Sequence, residues 1–179
     1  VPFARFVAQN RNDIIFPFKR YQMQNVWRAD KPQKGRYREF FQCDADIIGT
    51  NSLLCEIELI QLYDDVFTKL NISGVKICIN NRKILSGIIE LMNAKDRFDE
   101  IVILLDKIET LGQENLYNLL KEKGLAKDSI SKLNDFLNVS NLEDLSKLMQ
   151  RSKIGMQGIK ELSYVYNAVN NVKLKTAVL

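Results

Sequence analysis

A short segment of the sequence, from Trp27 to Gly49, concentrates the side chains that could bind a ligand. Polar and apolar residues alternate on both sides of a loop, Asp30–Arg38, and this period of two predicts a pair of strands. Residues two apart share one face of a strand. On the polar face we expect an arginine, an aromatic ring, an amide and two carboxylates, namely Arg28, Phe40, Gln42, Asp44 and Asp46. This combination is typical of a ligand-binding surface rather than of one that only meets water.

Pairing of the two strands would bring these side chains together. We predict an antiparallel hairpin in which Ala29 lies opposite Glu39, so that Arg28 lies beside Phe40. The polar face of the second strand is then roughly 20 Å long, enough for an extended nucleotide with a second ligand at its end. Phe40 is suited to stacking on a base, and Arg28 to binding a phosphate. At the far end, Gln42 and Asp46 would line the second subsite, where the carboxylate can accept a hydrogen bond from a ligand N–H.

Each of these residues also has an ordinary structural interpretation. Arg28 could form a surface ion pair with Glu39 or Asp30, which is the more common situation for one arginine in a hairpin. Phe40 could belong to the core if the register slipped by one residue, because that shift exchanges the two faces. The two aspartates of the second strand could protect an exposed sheet edge. The joint arrangement of these residues in one short segment favours a ligand site.

Positive charge is concentrated in the same part of the chain. Residues 1–42 hold nine Lys and Arg against three Asp and Glu, whereas the other 137 residues hold 17 against 19. Five of the basic residues fall within eleven positions, at Arg28, Lys31, Lys34, Arg36 and Arg38. Such a cluster favours an anionic partner, either a triphosphate or a nucleic acid. A solubilising loop is the alternative explanation.

The composition excludes several kinds of chemistry. The 179 residues contain no histidine, so they can form neither a nucleophile–histidine site nor a histidine-ligated metal site, and we predict no metal site in the chain. The cysteines at 43, 55 and 78 are odd in number and widely spaced, which predicts buried thiols rather than disulfides. Apolar runs are too short to cross a bilayer, and Val1–Asn10 lacks the layout of a signal peptide. We therefore predict a cytoplasmic location without membrane contact.

The run KPQKGRYREFFQCDADIIG, which ends at Gly49, resembles motif 2 of class II aminoacyl-tRNA synthetases and is similar to the histidyl-tRNA synthetase family in particular. The preceding VPFARFVAQN resembles the helix that follows the first histidine-binding segment of that family. A match over about twenty contiguous residues is much more specific than a short motif. It implies ATP-dependent activation of histidine, followed by its ligation to tRNA(His).

The resemblance also implies roles for individual residues. Arg28 matches the catalytic arginine that holds the ATP α-phosphate, Asp30 matches an acid at the adenine edge, and Phe40 matches the aromatic residue that stacks on adenine. Arg36 matches a loop arginine that meets the outer phosphates or tRNA. For the amino acid, the matching positions are Gln42 and Asp46, which contact histidine. Many bacterial relatives have glutamate in place of Asp46, so the shorter acid here is similar to the eukaryotic pattern.

Further ligands and partners follow from the same resemblance. Mg²⁺ would accompany ATP as part of the substrate, the acceptor arm of tRNA(His) would be the nucleic-acid partner, and the parent protein would be a homodimer. The resemblance places other elements of the family's active site before Val1 and after Leu179. We therefore expect the chain to be a fragment that is inactive in isolation.

The sequence pattern predicts an α+β fold with a small all-helical subdomain. The resemblance implies that the rest is part of an antiparallel class II synthetase sheet with flanking helices, and that the helical subdomain is an insertion. We divide the chain into a partial catalytic core with motif 2 at residues 1–80, a helical insertion at 81–151, and a return helix and strand at 152–179. Apolar residues at helical spacing predict the helices of the insertion, one of them with a capping box formed by Ser140 and Glu143. The resemblance suggests that this insertion touches the tRNA acceptor arm. Lysines 121, 123 and 127 could meet phosphates there, although a solvated helix face is the more common explanation.

Two other hypotheses remain at this point. One is a catalytically silent synthetase paralogue, such as the regulatory subunit of ATP phosphoribosyltransferase. The helical stretch 81–151 argues against it, because that relative generally lacks the insertion. The other is an RNA-binding module whose basic loop binds a phosphate backbone, for which steep salt dependence would be expected.

Overall fold

The computed structural model describes residues 2–179 and divides the chain into two units, one up to Leu59 and one from Ile60 to Leu179. The first unit, which we call the hairpin unit, contains a short helix and an antiparallel two-stranded hairpin. The second unit is mainly helical, and we call it the helical unit. The predicted α+β fold is therefore confirmed. The elements of the first unit are α1 (Pro2–Gln9), β1 (Phe18–Trp27), β2 (Glu39–Ile48) and the start of α2 (Leu54–Lys69).

The two strands pair antiparallel over their whole length, because both alternate and neither contains proline or glycine. Val26 lies opposite Phe40, and Trp27 lies opposite Glu39. The predicted register, which set Ala29 against Glu39, is therefore wrong by two residues. A shift of two equals the side-chain period of a strand, so every side chain keeps its predicted face.

Helix α1 is attached to the beginning of the hairpin by aromatic contacts. The rings of Phe3 and Phe6 each lie with their centroid 6.4 Å from that of Phe18, the first residue of β1. The guanidinium carbon of Arg20 lies 4.1 Å from the centroid of the Phe3 ring. The N-terminal helix thus fixes the end of β1 that carries Arg20.

The second unit consists of short helices connected by short loops, as the apolar periodicity predicts. Its helices after α2 are α3 (Arg82–Leu91), a 3₁₀ turn at Lys95–Arg97, α4 (Phe98–Leu105), α5 (Ile108–Leu111), α6 (Gln113–Glu122), α7 (Lys127–Leu137), α8 (Leu142–Met149) and α9 (Lys153–Asn170). Two very short strands, β3 (Lys76–Ile77) and β4 (Ala177–Val178), pair parallel to each other.

One apolar core holds these helices together. Its fully buried side chains come from α3 and the residue that follows it, α4, α6, α7 and the end of α8, and they are Ile84, Ile88, Ile89, Met92, Ile101, Leu116, Leu120, Leu133 and Met149. Each fully buried aliphatic side chain contributes about 1.5–3 kcal/mol relative to its exposed state. The core explains why helices too short to be stable alone persist here.

Two details differ from the sequence-based expectations. Helix α8 is capped by Asn141, whose side chain accepts a hydrogen bond from the Asp144 N–H, and not by the predicted pair of Ser140 and Glu143. Adjacent residues that can both cap leave the choice to the backbone, and Asn141 has the extended conformation that a cap requires. The prediction of buried cysteines is also wrong, since the thiols at 43 and 78 are exposed and that at 55 is half-buried.

Candidate ligand-binding site

The polar face of the hairpin brings together three of the predicted site residues. The guanidinium carbon of Arg28 lies 5.0 Å from the centroid of the Phe40 ring, and its Nη2 donates to Gln42 Oε1 at 3.1 Å. Arg28 follows directly after β1, where its backbone N–H donates to the carbonyl of Arg38 at 2.8 Å. The ladder thus continues past β1 and sets this arginine over the aromatic ring.

The contacts continue along the same face toward the other end of β2. Gln42 Nε2 donates to Asp44 Oδ1, and two residues further on Asp46 is paired with Arg20, whose Nη2 lies 2.6 Å from Asp46 Oδ2. Arg20 Nη1 also donates to Gln22 Oε1. The result is a continuous row of polar side chains with a cation at each end.

The four residues Arg28, Phe40, Gln42 and Asp46 therefore project from one side of the hairpin, as the alternation predicts. Neither ordinary partner considered for Arg28 is bound to it. Glu39 instead accepts a hydrogen bond from Asn25 Nδ2 at 3.0 Å, and Asp30 lies near Arg36.

The loop between the strands contains a tight turn. Gln33 and Arg36 exchange two backbone hydrogen bonds, and Gly35 between them has φ of +77°, a conformation that favours glycine. The Asp30 carboxylate lies 3.6 Å from Arg36 Nε, and its backbone carbonyl accepts from Arg38 Nε at 3.3 Å. The loop thus brings Asp30 and Arg36 together at the end of the hairpin nearest Arg28, while leaving Arg36 exposed.

The polar face of the hairpin is less exposed than the apolar face, which is the reverse of the usual arrangement. Along the polar face, Phe40, Gln42, Asp44 and Asp46 are all half-buried. On the apolar face, by contrast, large side chains are exposed, with Tyr21 at 76%, Trp27 at 69% and Phe41 at 66%. The row of polar residues is thus the better shielded of the two surfaces.

Two residues of this site were missed by the sequence reasoning, Arg20 and Phe3. Alternation alone places Arg20 on the polar face, two positions before Gln22, and this was the signal that could have found it. Phe3 lies in another element, so no local pattern connects it to the hairpin.

In the helical unit, the three lysines singled out from the sequence are all exposed. Lys123 Nζ lies 2.7 Å from Glu100 Oε1. Hydrogen bonds from Arg97 and then Lys123 lower the pKa of Glu100 to about 2, so this carboxylate is ionised at neutral pH. Lys123 therefore pairs with an acid within the helical unit, and a phosphate would have to compete with Glu100 for it.

The chain is similar to known proteins both as a whole family and as individual sequences. The profile described as Histidyl-tRNA synthetase matches residues 2–179. The histidine–tRNA ligase of Flavobacterium johnsoniae is 50% identical over 184 residues, and that of Christiangramia forsetii is 47% identical over 184 residues. Both alignments cover 100% of this chain but only 39% and 40% of those proteins. The chain thus spans about 40% of the length of the curated relatives it matches.

A solved structure shares the fold at lower sequence identity. It is described as an ATP phosphoribosyltransferase regulatory subunit/histidyl-tRNA synthetase from Bacillus halodurans, with a TM-score of 0.77 and 20% identity, covering 95% of this chain and 44% of that chain. Together the profile and the curated relatives place the chain among the aminoacyl-tRNA synthetases. Within that class, it belongs to the histidyl-tRNA synthetase family.

Among residues 2–179, no helix combines the length and the apolar character that a membrane crossing needs. The longest helix of the helical unit, α9, has 18 residues and carries charged side chains.

Proposed function

We propose that the protein containing this chain activates histidine with ATP and then ligates it to tRNA(His). The observation that carries the proposal is the contiguous set of Arg28, Phe40 and Gln42 on one face of the hairpin. Membership of the histidyl-tRNA synthetase family supports the same activity. The hairpin would then be motif 2 of a class II synthetase.

ATP would bind at the end of the hairpin nearest the loop. In this proposal Arg28 is the catalytic residue, because its guanidinium neutralises charge that develops at the α-phosphate. The Phe40 ring stacks on adenine, while Asp30 contacts the adenine edge and Arg36 contacts the outer phosphates. Mg²⁺ enters with ATP as part of the substrate.

Histidine would bind at the other end, against Gln42 and Asp46. The attacking group is the carboxylate of histidine, which is already ionised at neutral pH, so activation requires no general base. Alignment of the two substrates and charge neutralisation then supply the catalysis. A row of polar side chains with no histidine among them is suited to this kind of reaction.

The remaining parts of the proposal extend beyond the hairpin. We assign residues 1–80 to the catalytic core, 81–151 to a helical insertion that contacts the tRNA acceptor arm, and 152–179 to a return into the core. Exposed Lys121 and Lys127 are available for such a contact. The parent protein would act as a homodimer in the cytoplasm, as the family resemblance implies.

The first experiment changes Arg28→Ala in the full-length protein carrying this chain. We expect histidine-dependent ATP–pyrophosphate exchange to fall by about 100-fold or more, because losing one charge-stabilising donor has an effect of that order. Arg82→Ala is the matched control, since Arg82 also lies over a ring, with 5.2 Å from its guanidinium carbon to the Phe98 centroid, but in the helical unit. Near-normal exchange in the Arg28 variant would contradict the assignment.

A catalytically silent paralogue is the second candidate, and the description of the Bacillus halodurans structure is the observation that raises it. The curated relatives at 43–50% identity are named as ligases and so favour the enzyme. Histidine binding without any pyrophosphate exchange by the unmodified full-length protein would favour the paralogue instead.

A further inference from the structure

Arg20 and Asp46 form an ion pair at the end of the hairpin farthest from the loop. They are directly opposite each other in the register, and Arg20 Nη2 lies 2.6 Å from Asp46 Oδ2. The arginine side chain is only 19% exposed and the aspartate 37%. Opposite charges at directly paired positions stabilise a hairpin, but most such pairs lie in full contact with water.

The arginine is fixed from three directions. Its guanidinium lies over the Phe3 ring of α1, it donates to the side-chain oxygen of Gln22, and it pairs with Asp46. A planar guanidinium that stacks and pairs at once has little freedom to rotate. Asp46 therefore faces a rigid cation rather than a mobile surface side chain.

The aspartate retains hydrogen-bonding capacity despite this pair. Its Oδ2 lies 2.6 Å from Arg20 Nη2 and is shielded from water, whereas the aspartate side chain as a whole remains 37% exposed. An ionised carboxylate offers about four lone-pair sites, so the ion pair leaves acceptor positions open.

We propose that Arg20 is a positioning residue for the histidine subsite and acts through Asp46. This inference rests on the proposed function, in which Asp46 contacts the imidazole. Arg20 fixes the orientation of the Asp46 carboxylate and offsets its negative charge. The subsite is thereby matched to a neutral imidazole N–H, whereas an uncompensated carboxylate would favour a cation. Asp44, two positions earlier on the same face, is held separately by Gln42.

The test measures KM for histidine and for ATP in the exchange reaction of the full-length protein. For Arg20→Ala we expect KM for histidine to rise by about 10-fold, the size of a typical coupling between contacting groups, with KM for ATP changed by less than about twofold. Lys19→Ala is the matched control, because Lys19 is the adjacent residue of β1 and also forms an ion pair, 2.6 Å from Glu58. This variant should leave both constants unchanged.

Two further variants separate positioning from simple structural support. Arg20→Lys keeps the charge but lacks the planar fork, so it should restore part of the histidine affinity lost in the alanine variant. In a double-mutant cycle, Arg20→Ala added to Asp46→Asn should raise KM for histidine no further than Asp46→Asn alone.

The outcomes distinguish the role of Arg20 from the assignment of Asp46 to the histidine subsite. If Asp46→Asn raises KM for histidine and Arg20→Ala does not, the inference about Arg20 is overturned and the proposed function stands. Equal rises in both KM values for Arg20→Ala, or additive effects in the cycle, would also overturn the inference. If Asp46→Asn leaves KM for histidine unchanged, the assignment of the subsite itself is wrong.

Discussion

Asp64, in α2, is a buried carboxylate that binds the backbone near the C-terminal end of the helical unit. It is 7% exposed and accepts hydrogen bonds from the backbone N–H groups of Lys175 and Thr176, at 3.0 and 2.6 Å. These two residues directly precede β4, which pairs with β3. Asp64 thus holds the end of the chain against α2 and supports a strand pair of only two residues.

Hydrogen bonding by the Thr176 side chain is the largest cause that lowers the pKa of Asp64. Burial raises this pKa, and the backbone N–H groups of Lys175 and Thr176 lower it further. A carboxylate with a lowered folded-state pKa stabilises the fold above its unfolded value, near pH 4, and that contribution is lost as pH falls through the folded value. We expect Asp64→Asn to reduce amide protection at Lys175 and Thr176 by about 10-fold at pH 7, because charge-assisted hydrogen bonds become neutral ones.

The measurement is hydrogen exchange at those two amides as a function of pH. The difference between the two proteins should shrink below about pH 4 as Asp64 protonates. Asp65→Asn is the control, because Asp65 is adjacent but exposed. An undiminished difference at low pH would show that charge is not the cause.

The ligand face illustrates what the sequence can and cannot predict about individual residues. Alternation was sufficient to place Arg28, Phe40, Gln42 and Asp46 on one face, because strand geometry dictates it locally. The role of Arg20 depends on Phe3 in α1, a contact between distant parts of the chain. The exposed cysteines were missed for a similar reason, since an apolar pattern indicates a face without showing what covers it.

Helices α3 and α9 cross at glycines, and this crossing organises the helical unit. A Cβ added at Gly87 of α3 would lie 2.6 Å from Gly155 Cα and 3.0 Å from Gly155 N. A Cβ added at Gly155 would instead meet the Met149 sulfur at 2.8 Å and Gly87 Cα at 3.3 Å. The backbones can approach this closely only because neither position carries a side chain.

We expect Gly87→Ala to reduce the free energy of unfolding by about 2 kcal/mol, since overpacking outweighs the gain in helix propensity. Gly155→Ala should reduce it less, because the sulfur it meets belongs to a flexible side chain. Urea unfolding of the chain measures both. Ser86→Ala, in the same helix, is the control, and a Gly87 variant as stable as this control would show that the helices separate without cost.

The elements themselves were predicted more accurately than their pairing. Periodicity located the helices because each has one apolar stripe, and tertiary packing then follows that stripe. The hairpin register could not be read in the same way, since any even shift keeps the same faces buried. The hydrogen bond from Arg28 N–H to the Arg38 carbonyl fixes it, and the loop conformation decides that bond.

At the scale of the whole molecule, apolar burial is distributed unequally between the two units. Among residues 2–179, the buried apolar side chains lie in the helical unit with one exception, Ile57. Protection against exchange follows buried contacts and the cooperativity of the unit that contains them. The hairpin unit is held mainly by its ladder and by the aromatic contacts to α1.

We therefore expect amides in α3, α6 and α7 to exchange at least about 100-fold more slowly than those of β1 and β2 in the isolated chain. Mass spectrometry of peptic peptides resolves these segments. The 3₁₀ turn at Lys95–Arg97, which contains no buried residue, serves as an internal reference within the helical unit. Equal protection of hairpin and core helices would show that the two units unfold as one.

Trp27 is the single tryptophan of the chain, and it belongs to the exposed apolar face of the hairpin. Indole fluorescence responds to contact with water, so the indole emission of this chain reports on one strand face. The helical core contributes nothing to that signal. An optical titration would consequently follow the covering of this face by any other surface, independently of events among the helices.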